Sequence, residues 1–219
     1  MRFGVLGTGM VGQTLAGKLV SLGHEVKMGA RQAGNEKAQA WVASAGPSAS
    51  AGSFAEAARF AEIVINATAG AWSLEALTAA GAENLAGKIL IDVANPIAPN
   101  SGMPPQLSFC NSDSLAERIQ RTFPASRVVK TLNTVNAAVM VNPALVPGRH
   151  HMFLCGDDAT AKSEVAALLV SFGWPPESLI DLGGISNARG TEMYLALWLR
   201  LWGVLGSSPF NIRVVSNDF

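Results

Sequence analysis

Residues 6–12 read LGTGMVG, and only five residues, MRFGV, come before them. The run RFGVLG is short and apolar enough to be a buried strand, while TGMVGQTLAGKLVSLG has the length and apolar spacing of a helix. Gly7, Gly9 and Gly12 therefore fall at a strand-to-helix turn in the pattern G-x-G-x-x-G. In that setting each glycine has its own task. Gly7 allows the tight turn, Gly9 lets backbone approach a pyrophosphate, and Gly12 lets helix pack closely on strand. The N–H groups at the start of the helix then face an anion. The motif alone is short, and 22 of the 219 residues are glycine, so a merely tight turn is the plain alternative. Its place directly after a first strand is what favours a dinucleotide site.

The rest of the chain repeats the rhythm. HEVKMGA, EIVINAT, KILIDVANP and SRVVKTLNT read as strands, and EKAQAWVASAG, SFAEAARFA, WSLEALTAAG and SLAERIQRTFP as the helices between them. Ser53 is placed to cap the helix it opens. A Pro/Ser/Asn-rich stretch from Asn95 to Ser114 is a long loop of the kind that forms lids or binding segments. HHMFLCGDD reads as a further strand and ATAKSEVAALLVSFGW as the helix after it. Parallel strands need crossovers, and right-handed crossovers set helices on both faces. The expected fold is α/β: a Rossmann-type, doubly wound, mainly parallel sheet with a small C-terminal helical segment. Residues 1–180 form the dinucleotide-binding domain in this reading, and residues 181–219 a helical appendage packed on it. Ligands then bind at the carboxyl ends of the strands.

Composition narrows the partners. Lysine plus arginine and aspartate plus glutamate number 16 each, so net charge draws the chain to neither nucleic acid nor an anionic membrane. Hydrophobic residues are 49% and charged residues 15%, a balance for a folded core and not for disorder. Cys110 and Cys155 lack metal-ligand spacing and are expected as buried thiols in a reducing compartment. No charged segment followed by an apolar run opens the sequence, so the expected location is cytoplasmic. MYLALWLRLWGVLG, from Met193 to Gly206, carries Arg200 and is shorter than the roughly 20 residues of a membrane span. It is expected as a buried or interfacial helix.

The end of the second strand separates the two nicotinamide dinucleotides. An NAD site usually places Asp or Glu there for the ribose hydroxyls. This chain has Gly29, Ala30 and Arg31, followed by Gln32 and Lys37. A carboxylate would repel a 2′-phosphate, whereas a guanidinium binds one, so the sequence points to NADP over NAD.

Together LGTGMVG, MGAR, DVANP, KTLNTVNA, FLCGDD and DLGGISNAR, in this order along nearly the whole chain, resemble the NADPH-dependent reductases of the deazaflavin coenzyme F-420. The chain is also similar to the cytosolic reductase domain of the six-transmembrane metalloreductases. It departs from the deazaflavin reductases at Leu6, where they often have a further glycine, and at Ala30, where they commonly have serine. The resemblance implies direct hydride exchange between nicotinamide and a flavin-like ring, coenzyme F-420 or FMN/FAD, and usually a homodimer. Carried over by position, Thr8, Gly9, Met10 and Val11 wrap the pyrophosphate beside the Gly7 turn of the cofactor-binding motif, and Arg31, Gln32 and Lys37 hold the 2′-phosphate. Ala67 and Asn95 lie toward the nicotinamide, and Asn133, Thr134, Val135 and Ala137 border the cleft where the rings meet.

Hydride exchange between two rings needs close contact and dryness but no dedicated protein acid. No residue is therefore assigned as catalytic. Tyr194, which opens the apolar terminal helix in this reading, has no Y-x-x-x-K partner because position 198 is Trp. His150 and His151, as strand neighbours, point to opposite faces, so no metal is expected and surface or sheet-edge packing is the default. Trp198 and Trp202 have the helical spacing of core or dimer contacts. Asp157 or Asp158 is expected to cap the following helix, and Asn187 and Arg189 either touch the acceptor or satisfy backbone. Two other functions fit the same sequence: reduction of a small imine or carbonyl, and a non-catalytic module that senses NADP(H).

Overall fold

The computed structural model describes residues 1–206 and 209–217. The chain runs β1 (Arg2–Leu6), α1 (Met10–Ser21), β2 (Glu25–Ala30), α2 (Glu36–Ala45), β3 (Ala49–Ser53), α3 (Phe54–Phe60), β4 (Ile63–Asn66), α4 (Ser73–Ala80) and α5 (Ala82–Leu85). It continues through β5 (Ile89–Asp92), α6 (Leu115–Thr122), β6 (Arg127–Thr131), α7 (Ala137–Val141), β7 (Met152–Cys155), α8 (Ala159–Phe172), β8 (Leu179–Asp181) and α9 (Ala188–Leu205). The strands form one sheet in the order β3-β2-β1-β4-β5-β6-β7-β8. Every neighbouring pair is parallel except β6 with β7. This is the doubly wound, mainly parallel arrangement, with its switch point between β1 and β4.

Strand alternation sorts the core into two layers. Phe3, Val5, Ile63, Ile65, Ile89, Ile91 and Val129 face α1, α2, α7 and α8. Leu6, Val64, Leu90 and Val128, on the other face, meet α3 through α6 and the start of α9. Strand ends align as well: Leu6 pairs with Asn66, Asn66 with Asp92, and Asp92 with Lys130. One row across the sheet thus carries the residues that underlie its carboxyl edge.

Side chains start five of the helices. Asn35, Ser53, Ser114, Asn136 and Asp158 cap α2, α3, α6, α7 and α8, and Ser53 forms a full capping box with Glu56. Helix α1 has no such cap and no acidic residue in its first turn. The 95–114 loop folds back on itself, with Ile97 bridged to Leu107 and Ser108 N–H donating to the Pro96 carbonyl at 2.7 Å. Helix α9 packs on α6 and β7. The segment after it returns along β7, where His151 N–H donates to the Ile212 carbonyl at 3.0 Å and Phe210 stacks on Trp198.

Several local expectations need correction. Helix α9 begins at Ala188, so Tyr194 lies inside the helix and does not open it. His150 and His151 precede β7 and are both buried, not at the surface. His150 is held by the Pro143 carbonyl and the Asn211 amide, and the Val214 N–H donates to His151 Nδ1 at 2.9 Å. Cys155 is buried, but Cys110 is exposed because it sits on the long loop, away from either core layer. Among the described residues no helix is long and apolar enough to cross a membrane, and no cluster of His, Cys, Asp and Glu could hold a metal ion.

Candidate active site

Beyond the carboxyl ends of the central strands lies a cleft with two chambers. The narrower has a volume of about 390 Å³ and the wider about 660 Å³. Ala67, Thr68, Ala69 and Trp72, on the segment after β4, line both and so form the wall between them.

The three motif glycines meet different surroundings in the narrower chamber. Gly7 has φ of +122°, and a Cβ there would come within 2.4 Å of the Ala67 carbonyl oxygen. A Cβ on Gly12 would come within 2.2 Å of the Gly7 carbonyl oxygen. Both positions are closed to any side chain by backbone. Gly9 is unlike them: a Cβ would meet nothing within 4 Å, and its extended φ of −78° suits any residue. Folding does not demand glycine there; an open approach to the helix start does. The first amides of a helix lack intrahelical acceptors, and α1 has no side-chain cap; Gly7, Thr8 and Gly9, just before it, line this chamber, and Met10 and Val11 of its first turn line the wider one.

Arg31 reaches the same chamber from the end of β2, beside Asn35. Its Nη2 lies 3.6 Å from Glu75 Oε1, which enters from the first turn of α4. Gln32 and Lys37 are exposed and line neither chamber. Helix α2 turns Ala38 and Trp41 toward the core, which leaves the Lys37 side of its first turn facing out.

The wider chamber gathers the remaining expected residues. Met10 and Val11 from α1, Ala67, Asn95, and Asn133, Thr134, Val135 and Ala137 all line it. Asn95 and Asn133 clasp each other: Asn95 Nδ2 donates to the Asn133 carbonyl at 2.9 Å, and Asn133 Nδ2 donates to Asn95 Oδ1 at 3.0 Å. Helix α9 closes the far side with Leu195, Trp198 and Leu199. Trp198, expected as a core or dimer residue, is thus a wall of the cleft, stacked between Trp202 and Phe210 at 6.3 and 5.2 Å. Among the described residues, no Asp, Glu, His, Lys, Arg, Tyr or Cys lines this chamber. Asn187 and Arg189 stay outside it. Asn187 donates to the Leu182 carbonyl, and Arg189 grips the Glu117 carboxylate at 2.6 and 2.9 Å. That pairing holds the Glu117 carboxyl below the ordinary glutamate range, more than offsetting burial.

Under the chamber floor lies a fully buried set of charges. Lys130 Nζ meets Asp92 Oδ2 at 2.8 Å and Glu192 Oε1 at 2.9 Å, and also donates to the Ala94 carbonyl. Asp92 accepts from Asn66 Nδ2 at 2.8 Å, and Asn66 in turn accepts from Thr68 Oγ1 at 2.7 Å. Glu192 accepts from the backbone N–H of Leu115 and of Ala116 at the start of α6. Burial alone would lower the Lys130 pKa, but Asp92 and Glu192 outweigh it and the net shift is upward. Burial pushes the Glu192 carboxyl above its ordinary range against the pull of Lys130. A carboxylate on α9 is therefore tied to the strand ends, and it fixes the helix that carries Trp198.

A doubly wound sheet whose switch point opens beside an uncapped helix start is the build of dinucleotide-binding proteins. Similarity to known proteins narrows that class. Residues 2–96 match the family model described as "NADP oxidoreductase coenzyme F420-dependent". A crystal structure from Arthrobacter sp. FB24, provisionally named an F420-dependent NADP-reductase, is 52% identical, with 99% of this chain and 100% of that one covered and a TM-score of 0.94. The chain belongs to this family of NADP-dependent oxidoreductases. Metalloreductase STEAP3 of Rattus norvegicus is 32% identical over 204 residues, 93% of this chain and 38% of the rat protein. The chain thus spans well under half the length of that curated relative. A Streptomyces aurantiacus imine reductase shares the fold at 21% identity and a TM-score of 0.65, over 94% of this chain and 63% of the other.

Glu75, Met140, Leu195, Trp198 and Leu199 line the cleft without having been singled out from sequence as site residues. Thr68 and Trp72 lie in the stretch from Asn66 to Trp72 that the carboxyl-end rule marks from sequence. The α9 residues carry no local signal beyond helical spacing.

Proposed function

We propose that this chain moves a hydride between NADP(H) and a flat, flavin-like acceptor. The deazaflavin coenzyme F-420 is the acceptor favoured by the family resemblance, with FMN or FAD as alternatives. The observation that carries the reading is the wider chamber: large, walled by apolar, asparagine and threonine side chains, and without a titratable group among its described lining. A carbonyl or imine substrate calls for a positioned proton donor. A fused ring that takes hydride directly can draw its proton from solvent and needs a dry, close-fitting slot instead.

The fit to the dinucleotide rests on the open space at Gly9 and on the uncapped amides of α1. Thr8, Gly9, Met10 and Val11 hold the pyrophosphate, Arg31 takes the 2′-phosphate, and Gln32 and Lys37 stand at the exposed rim. Ala67 and Asn95 orient the nicotinamide end, while Asn133, Thr134, Val135 and Ala137 line the meeting place of the two rings and exclude water. Bound there, NADPH supplies the hydride. Residues 1–180 are the dinucleotide-binding unit in this reading, and residues 181–219 complete the acceptor side through α9. The exposed Leu197, Val204 and Leu205 of that helix suit a homodimer contact. The chemistry suits a reducing, dinucleotide-rich compartment such as the cytoplasm, and neither nucleic acid nor membrane takes part.

Incubating the protein with NADPH and the deazaflavin, FMN, FAD, or a panel of imines and ketones tests the reading. NADPH oxidation with a flavin-like acceptor is expected. Turnover with imines or ketones alone contradicts it, and so does tight NADPH binding with no turnover, the behaviour of a sensor.

A further inference from the structure

We infer that Glu75 is a specificity-determining residue for the dinucleotide: its carboxylate competes with a 2′-phosphate for Arg31 and so holds down the preference for NADP(H) over NAD(H). The inference rests on the reading of the narrower chamber as the site of the adenosine end. The end of β2 carries no carboxylate, which is where a ribose-reading one ordinarily comes from. The fold supplies one from another element. Glu75 lines the same chamber as Arg31, and the two side chains face each other at 3.6 Å.

The state of that pair decides what it can do. The Arg31 and Glu75 side chains are 74% and 59% exposed, so water screens the contact and it adds little to stability. It is a pair that opens readily when a stronger partner arrives. A phosphate is such a partner, because a guanidinium binds its oxygens through charge-assisted, often bidentate hydrogen bonds. With the phosphate on Arg31, the Glu75 carboxylate is left beside a like charge. A dinucleotide with a free 2′-hydroxyl meets no such opposition and can donate that hydroxyl to the carboxylate. One residue therefore weakens the phosphorylated form and tolerates the other.

Calorimetric titration of NADP⁺ and NAD⁺ into the wild-type protein, Glu75→Gln, Arg31→Gln and the double variant tests this. Glu75→Gln keeps the side-chain size at an exposed position and is expected to fold normally. It should tighten NADP⁺ about two- to fivefold, the scale of one exposed charge interaction, and leave NAD⁺ unchanged or weaker. In the Arg31→Gln background the gain should shrink, because the competition acts through Arg31. High salt should shrink it too. An unchanged ratio of the two affinities, or an equal loss of both, overturns the inference while the chamber's assignment stands. If the wild-type protein binds neither dinucleotide, the assignment itself falls and takes the inference with it.

Discussion

The two chambers of the cleft are built by different means. The narrower takes part of its lining from one tight turn, Gly7 to Gly9, just before the uncapped start of α1. In the proposed reading that main chain and the Arg31 guanidinium meet the phosphates. The wider draws its walls from the start of α1, the segments after β4, β5 and β6, and a helix near the other end of the chain. There side chains do the shaping. A phosphate presents the same oxygens in every dinucleotide, so backbone can read it, whereas an acceptor's identity lies in its outline and must be met by side chains. The two chambers can therefore be altered separately, and variants that do so break or sharpen the comparison.

The largest effect is expected beneath the wider chamber. Lys130→Met leaves Asp92 and Glu192 buried without their counter-charge, which typically costs about 3–5 kcal/mol. Urea denaturation should show that loss, and a loss below about 1 kcal/mol would mean that the network does not anchor α9. Next comes the wall itself. Trp198→Ala removes a stacked aromatic worth about 1 kcal/mol of contact, so kcat/KM for the acceptor should fall roughly fivefold. Calorimetry should find the NADP⁺ affinity within about twofold of wild type. An equal loss in both would show one chamber, not two.

The smallest effect concerns acid. Arg189 and Glu117 fasten the start of α9 to α6, and the folded Glu117 pKa lies below its unfolded value. The stabilisation is then complete above the unfolded pKa, about 4.3 for a glutamate, and is lost as pH falls through the lower, folded one. Tryptophan fluorescence during acid titration should report loosening around Trp198 in that range. Glu117→Gln, already without the ion pair at neutral pH, should show a shallower change there; an identical curve would remove Glu117 from the account.

The same division explains what could be read from the chain. The β1–α1 turn was legible because its reasons are local: three glycines, a strand before and a helix after. Strand β3 was not, since its sequence ASAGS is small and polar and owes its place to pairing with β2 and cover from α3. The exposed position of Lys37 was not legible either, since which face of α2 turns inward is settled by Ala38 and Trp41 packing on the core, not by the charge of a neighbour. Trp198 read as core because helical spacing shows that a face is buried without showing against what. Glu75 gave no sign at all, because its meeting with Arg31 depends on how the turn after β4 aims α4.

Gly9→Asp tests the central claim most directly, because it sets folding and binding against each other. Aspartate at this open N-cap position should leave thermal stability unchanged or raise it by about 0.5–1 kcal/mol, since it caps α1 and complements the helix dipole. The same carboxylate would stand where the pyrophosphate must lie, so NADP⁺ affinity measured by calorimetry should drop at least about a hundredfold. A variant as stable as wild type that still bound NADP⁺ with wild-type affinity would contradict the account.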